Sequence, residues 1–283
     1  MRIIDFKVSN DFEGKTVFHV LKYNGVSRRL CTKLKQVENG ITKNGIHART
    51  IDTVKAGDII SIKLCEETPL QKGTNLNVPI VYEDDDIIVF DKPAFMPVHP
   101  SHKHQGDTLG NFFAVHCEGL TFRPINRLDR DTSGLCVVAK NRFCAMHLQK
   151  SLDKTYFAII EGKITNGGVI DKPIARMGES IIKRCISKDG QKAVTHFEVL
   201  SYNDKFSLLK IKLETGRTHQ IRVHFSSEGF PLAGDDMYGG SLDFINRQAL
   251  HCGEISFLHP ITQRKVLLKS TLPSDMKKIP LYI

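Results

Sequence analysis

The sequence predicts an α+β fold in two parts: a small α/β unit, then a larger domain on a mixed, mostly antiparallel sheet. Three observations carry this. Segments with the two-residue alternation of strands outnumber those with helical periodicity. The two kinds do not alternate strictly, which argues against a doubly wound parallel sheet. A polar stretch with Pro and Gly and no periodicity, EETPLQKGTNLNVP (Glu66 to Pro79), interrupts the pattern after about a quarter of the 283 residues. The parts are read as a unit at 1–67, a linker at 68–78 and a domain at 79–283.

In the first unit, VFHVLKYN reads as a helix. SRRLCTKLKQVENG reads as a second, with Leu30, Leu34 and Val37 on one face and Arg28, Arg29, Lys33 and Lys35 on the rest. Ser27 is placed to cap it and Gly40 to stop it. AGDIISIKL closes the unit as a strand, Ile60, Ile62 and Leu64 alternating with polar residues. The larger domain opens on IVYEDDDIIVFDKP, two apolar runs around an acidic turn, which is a hairpin signature. Further strands are expected at LCVVAK, TYFAIIEG, KAVTHFEVLSYN, FSLLKIKLE, and EISFLHP with KVLLKS. Helices are expected at TLGNFFAVHCEG, capped by Asp107, and at NRFCAMHLQKSLD, capped by Asn141. A third is expected at THQIRVHFSSEG, starting at Thr218.

The net charge is +9, which favours an anionic partner, RNA or DNA being the commonest. Residues 1–67 hold twelve Lys and Arg against eight Asp and Glu, so the small unit is the more basic per residue. Its basic helix is compatible equally with a solvated face and with RNA contact. Seven cysteines, with no C-x-x-C pair, fit neither a zinc ribbon nor a disulfide framework and suit a reducing cytoplasm. The opening MRIIDFKVSN lacks the apolar core of a signal peptide, and no apolar run approaches the ~18 residues of a membrane span. Motifs for phosphate-loop nucleotide hydrolysis, dinucleotide binding, zincin chemistry and the serine elbow are absent. HPSHKH (His99 to His104) is rich in histidine, but no second cluster completes a ligand set at a known spacing, so no metal is expected.

Two stretches bring chemistry-bearing residues together. In LETGRTHQIRVHF, Arg217, Thr218 and His219 fall at an expected helix start, a natural anion site. With Ile221 and Phe225 inward, Arg222 is free to reach another loop; the alternative is that Arg217 and Arg222 are surface charges. In INRLDRDTSGLCVVAKN, Arg127, Asp129, Arg130 and Asp131 crowd one loop that runs straight into apolar sequence. Read as a strand end, Arg127 and Asp129 share a face, and Thr132–Gly134 turn the chain. A carboxylate among guanidinium groups is held ionised and serves as a nucleophile or electrostatic stabiliser. A structural ion-pair knot has the same spacing. Tyr156, in KTYFAIIEG, reads by itself as core filling.

RLDRDTSGL resembles the central R-L-D-x-x-T-S-G motif of the RluA-type pseudouridine synthases. DIIVFDKPAFMPVHPS resembles that family's Lys-Pro motif, KTYFAII its tyrosine strand and TGRTHQIRVHF its arginine motif. GDDMYGG and ALHCGEISFLHP resemble its tail, so the likeness spans about residues 79–270 in order. Residues 1–67 resemble a degenerate version of the αL-type RNA-binding domain of ribosomal small-subunit protein four. The likeness implies isomerisation of uridine to pseudouridine in RNA, large-subunit ribosomal RNA being favoured and transfer RNA the other candidate. It implies Asp129 as nucleophile, Arg222 pairing with it, and Tyr156 stacking on a flipped uracil and sharing in proton removal. It places Arg127 and Arg130 on the RNA backbone, Arg130 helping to extrude the base. Arg217, His219, Arg28, Arg29 and Lys33 are further expected RNA contacts. It implies no cofactor and no metal; a monomer is the default expectation, and the cysteines favour a cytoplasmic location. Asn126 stands where many members have His. The competing reading is an RNA-binding ribosome-assembly factor on the same scaffold, with catalysis secondary or lost.

Overall fold

The computed structural model describes residues 2–65, 70–73, 77–101, 104–178, 180 and 182–281. The first unit consists of β1 (Arg2–Lys7), α1 (Val17–Tyr23), α2 (Arg28–Leu34), β2 (Ile41–Lys43), β3 (Ile46–His47) and β4 (Ile59–Leu64). Its strands form an antiparallel sheet in the order β1-β4-β2-β3. The alternation in β4 buries Ile60, Ile62 and Leu64. Ser27 caps α2, its hydroxyl accepting from Leu30 N–H at 3.2 Å. The helix ends at Leu34 and not near Gly40. The chain reverses at Asn39, which takes a left-handed φ of 54°, and Gly40 lies so close to the Leu34 carbonyl that a Cβ would stand 2.0 Å from it.

The larger part comprises β5 (Ile80–Glu83), β6 (Ile87–Lys92), α3 (Leu109–His116), β7 (Ser133–Ala139), α4 (Arg142–Ser151) and β8 (Asp153–Glu161). Then come β9 (Gly168–Asp171), β10 (Ile174–Arg176), β11 (Arg184–Ile186), β12 (Val194–Tyr202), β13 (Phe206–Leu213) and α5 (Gln220–Ser227). β14 (Leu250–Leu258), β15 (Lys265–Lys269) and α6 (Ser274–Lys277) complete it. Nine strands make one sheet, β5-β6-β7-β14-β8-β13-β12-β9, with β15 also on β14. β7 and β14 run parallel and the other pairs antiparallel, as the sequence predicts. β10 and β11 form a separate ribbon. Asn141 caps α4 through Cys144 N–H, as expected. α3 is capped by Thr108 rather than Asp107: Thr108 and Asn111 close a reciprocal capping box, while Asp107 pairs with His104.

The stretch expected to be a linker lies against α3 where it is described. Asn111 Nδ2 donates to Gln71 O at 2.8 Å, Leu70 packs on Gly110, and Val78 is buried. The first unit is likewise seated on the second. Arg2 makes two bonds to Asp86, at 2.9 and 2.8 Å, and Asp86 also accepts from Asn141 at 2.7 Å. Phe6 packs on Phe143 of α4, and one apolar cluster runs through both units.

Three strands meet in register at the centre of the sheet. Cys252 of β14 stands opposite Gly134 of β7 and Tyr156 of β8. Gly134 has φ +112°, and a Cβ there would lie 2.3 Å from Cys252 O, so only glycine lets β7 approach β14. Gly134→Ala is expected to destabilise the protein by about 3 kcal/mol, lowering the melting temperature by roughly 6–10 °C; calorimetry checks this.

Candidate active site

The segment leading to Asp129 pairs with β7 beyond the two residues that β14 takes. Ile125 N–H donates to Val137 O at 2.8 Å. The Asn126 side chain extends the pairing, donating to Leu135 O at 2.9 Å and accepting from Val137 N–H at 2.8 Å. Arg127 to Thr132 then leave the sheet as a loop, not as the expected strand end. The turn falls at Arg130–Asp131, closed by Thr132 N–H on Asp129 O at 3.1 Å, because Ser133 and Gly134 are already paired with β14.

Two buried cations grip this loop by its backbone. Lys92, the last residue of β6, donates to Arg130 O at 3.1 Å and to Pro93 O and Met96 O at 2.8 Å. Burial pushes its ammonium down to about 8, which leaves it charged at neutral pH with all three protons in use. Arg247 donates to Asp131 O at 3.1 Å while its fork is fixed on Asp275 at 2.6 and 3.0 Å. Gln248 adds a bond to Thr132 Oγ1 at 3.2 Å.

The Asp129 carboxylate is held from the other side. Arg222 Nη1 donates to Asp129 Oδ2 at 3.1 Å. The rest of its fork is taken by Asp235, with Nε and Nη2 on the two carboxylate oxygens at 2.7 and 2.8 Å. The guanidinium lies over the Tyr238 ring, 5.0 Å from its centroid. Burial works against the charge on Arg222, but Asp235 and Asp129 outweigh it and hold its pKa above the usual range. His219 approaches the same oxygen, Nε2 to Asp129 Oδ2 at 3.7 Å. Tyr238 Oη accepts from Arg184 N–H at 2.9 Å and lies 2.9 Å from His219 Nδ1. In the tautomer whose Nδ1 accepts from the Tyr238 hydroxyl, the His219 Nε2 hydrogen would face Asp129.

The helix α5 starts at Gln220, two residues later than expected, with His219 left-handed at φ 56°. The cause is Gln220 itself. Its Oε1 accepts from Arg217 N–H and Thr215 Oγ1, and its Nε2 donates to Val194 O and Thr195 Oγ1, at 2.9–3.0 Å. Thus Arg217 N–H is already satisfied, and the expected anion site at the helix start is not formed by it.

These elements enclose a recess of about 390 Å³, counting its open mouth. Asp129, Arg222, Tyr156, Arg127, Arg217 and His219 line it, with apolar walls from Leu128, Leu213, Ile221 and Leu250. The Tyr156 ring is buried, and burial, with Cys252 and Asp129 adding, raises its phenol well above the usual range, so it is neutral.

The family model described as RNA pseudouridylate synthase matches residues 86–227, half of the chain. The chain belongs to the RNA pseudouridylate synthase family. A Bacillus subtilis (strain 168) relative, "Uncharacterized RNA pseudouridine synthase YjbO", is 39% identical over 267 residues, 90% of this chain and 94% of the relative. "Ribosomal large subunit pseudouridine synthase D" of Pseudomonas aeruginosa is 38% identical over 259 residues, 83% of this chain and 81% of the relative. The solved structure of human RNA pseudouridylate synthase domain containing 1 superposes with a TM-score of 0.59 at 27% identity, over 71% of this chain and 86% of that one. This pseudouridine synthase is thus an isomerase that acts on RNA.

Six of the residues singled out in the synthase sequence meet at the recess. Arg130 does not line it: its guanidinium is turned to Asp131, with bonds of 2.7 and 3.1 Å. The ion pair inside the loop is that of Arg130 with Asp131, while Asp129 finds its cation on α5. Arg28, Arg29 and Lys33 lie on α2 and do not line the recess either, Arg28 resting over the Phe18 ring. Of HPSHKH, His99 packs on Phe122 and His104 pairs with Asp107, while His102 and Lys103 lie outside the described residues. Among the described residues no helix is long and apolar enough to cross a membrane. Lys92, Asp235, Tyr238 and Arg247 were given no role from the sequence. The available signal was a cation closing an apolar strand (IIVFDK) and acid and aromatic residues inside GDDMYGG.

Lys92→Met removes the three hydrogen bonds given to the carbonyls of Pro93, Met96 and Arg130 and is expected to cost about 2–4 kcal/mol. Turnover should fall more than about tenfold even where the variant is folded, since the loop carrying Asp129 loses its register. Denaturation and single-turnover assays separate the two effects. His219, His224 and His251 all have pKa values lowered by burial. As pH falls through ~6.5 the unfolded chain takes up protons that the folded chain refuses, so stability present above that pH is lost on acidification. The urea midpoint should therefore drop across this window, and drop less in His224→Gln.

Proposed function

We propose that this synthase isomerises specific uridines of large-subunit ribosomal RNA, taking the flipped base into the recess and using Asp129 as its nucleophile. One observation carries the reading: Asp129 is exposed to the recess on one side and bonded to the buried Arg222 on the other. Three relatives that bear the name ribosomal large subunit pseudouridine synthase D, from Buchnera aphidicola, Pseudomonas aeruginosa and Vibrio cholerae, support the choice of RNA.

The reaction breaks C1′–N1 and forms C1′–C5, and the hydrogen at C5 leaves as a proton. A base stacked in a duplex does not present its reacting atoms to a carboxylate on the wall of a recess, so the uridine is extruded or taken from a single strand. Arg222 keeps the Asp129 carboxylate ionised and aimed, for attack at C1′ or C6 or for support of a glycal. Tyr156, neutral and buried, supplies a stacking surface and is poorly suited to act as a phenolate base. Arg127, Arg217 and His219, on the rim and wall, meet the sugar and phosphates. Arg28, Arg29 and Lys33 of the first unit extend the basic surface for RNA. The seven unpaired cysteines suit a cytoplasmic enzyme.

The test is tritium release from unmodified ribosomal RNA labelled at C5 of uridine. Wild type is expected to release tritium, and Asp129→Asn to fall by more than about 10³-fold while RNA binding persists. Equal release by both would make Asp129 structural. Release by neither would favour an RNA-binding assembly factor.

A further inference from the structure

Phe95 has no place in the chemistry above, yet it is held in an unfavourable way. It sits in the turn Pro93–Met96 with φ +63°, a conformation that favours glycine and disfavours a bulky aromatic side chain. Its ring is not tucked into the core: the residue is 56% exposed, while its neighbour Met96 is buried. A large apolar side chain in a strained turn, exposed to water, is retained against both sterics and solvation, and such outliers point to function.

The turn is also fixed next to the catalytic loop. Lys92 Nζ ties Pro93 O, Met96 O and Arg130 O to one nitrogen, all within 3.1 Å. Arg130 adjoins Asp129. Farther along the same segment, His99 lies near enough to Arg127 to feel its charge. Residues 93–99 therefore border the Asp129 loop at both ends. Arg127 and Arg130, both exposed, lie on the loop that Lys92 ties to this turn, and Arg127, whose guanidinium is not taken up by Asp131, suits a phosphate backbone.

We infer that Phe95 is a stacking platform for an unpaired nucleobase adjacent to the target uridine, and so helps to set which RNA strand is accepted. The inference rests on the reading that the Asp129 recess receives the uridine. Every nucleobase has a face to stack, so Phe95 would hold the flanking nucleotide with little demand on its identity while Arg127 holds the backbone. The strained turn presents the ring on a support clamped by Lys92, so little ordering is needed on binding.

Phe95→Gly is informative because glycine suits the turn. The full-length enzyme would be assayed by C5 tritium release from unmodified ribosomal RNA, with melting temperature measured in parallel. The melting temperature is expected to be unchanged or higher. The RNA concentration for half-maximal single-turnover rate should rise roughly tenfold, within the about 5- to 150-fold range of one base stack. The saturated rate should change less than about threefold, and Phe95→Trp should restore affinity. An unchanged half-saturation, or a lowered melting temperature with no rescue by Phe95→Trp, would overturn the inference and make Phe95 a packing residue. Activity of Asp129→Asn in the same assay would instead overturn the underlying reading of the recess.

Discussion

Arg222 carries a full charge into a position where only a few per cent of its side chain meets solvent, and a cation can stay there only if its hydrogen bonds are taken by fixed anions. Asp235, itself wholly buried, takes two of them, and Asp129 takes a third. Breaking such a pair costs about 3–5 kcal/mol, because one charge is then stranded. The requirement therefore runs outward from Arg222. It fixes the loop after α5 that carries Asp235, places Tyr238 beneath the guanidinium plane, and draws Asp129 toward α5 rather than toward the arginines of its own loop.

The loop that bears Asp129 is not left to this one contact. Asn126 pairs it to β7, Lys92 and Arg247 hold the carbonyls of Arg130 and Asp131, and Gln248 holds Thr132. These donors come from β6, from the segment before β14 and from the loop's own approach. A carboxylate placed by rigid elements needs no reorganisation when charge develops beside it, which is the physical basis of electrostatic preorganisation. The sheet contributes the opposite wall. Because Gly134, Cys252 and Tyr156 lie in register across β7, β14 and β8, the ring of Tyr156 faces the same recess that the loop closes.

Much of the fold was legible because burial imposes period. β4, the β5–β6 hairpin, β7, β8, β12, β13, β14 and β15 follow apolar runs or alternations that survive in the structure. The short strands β3, β9, β10 and β11 do not, since two to four residues carry no period and their place is set by pairing partners distant in sequence. Cap chemistry resolved the starts of α2 and α4, but Thr108 won over Asp107 because only a side chain one residue before the helix can reach its third N–H. At the site, Asp129, Tyr156 and Arg222 could be named from motifs. Arg130 could not be separated from Arg127 by spacing, because a tight turn sends the two in different directions. The roles of Asp235, Lys92 and Arg247 depend on contacts spanning 13 to 116 positions along the chain. No local pattern encodes those contacts.

The account stands on the claim that Asp235 acts through Arg222 to aim Asp129, without touching RNA. The most direct measurement is the saturated single-turnover rate of Asp235→Asn, an isosteric change that leaves Arg222 one acceptor of two and removes the charge, taken with its RNA affinity and its melting curve. The account predicts a folded protein that binds RNA as wild type does and isomerises uridine about 100-fold more slowly, the cost of a misplaced reacting group. A folded variant with an unchanged rate would contradict it, and would mean that Asp129 needs no aiming by the buried pair.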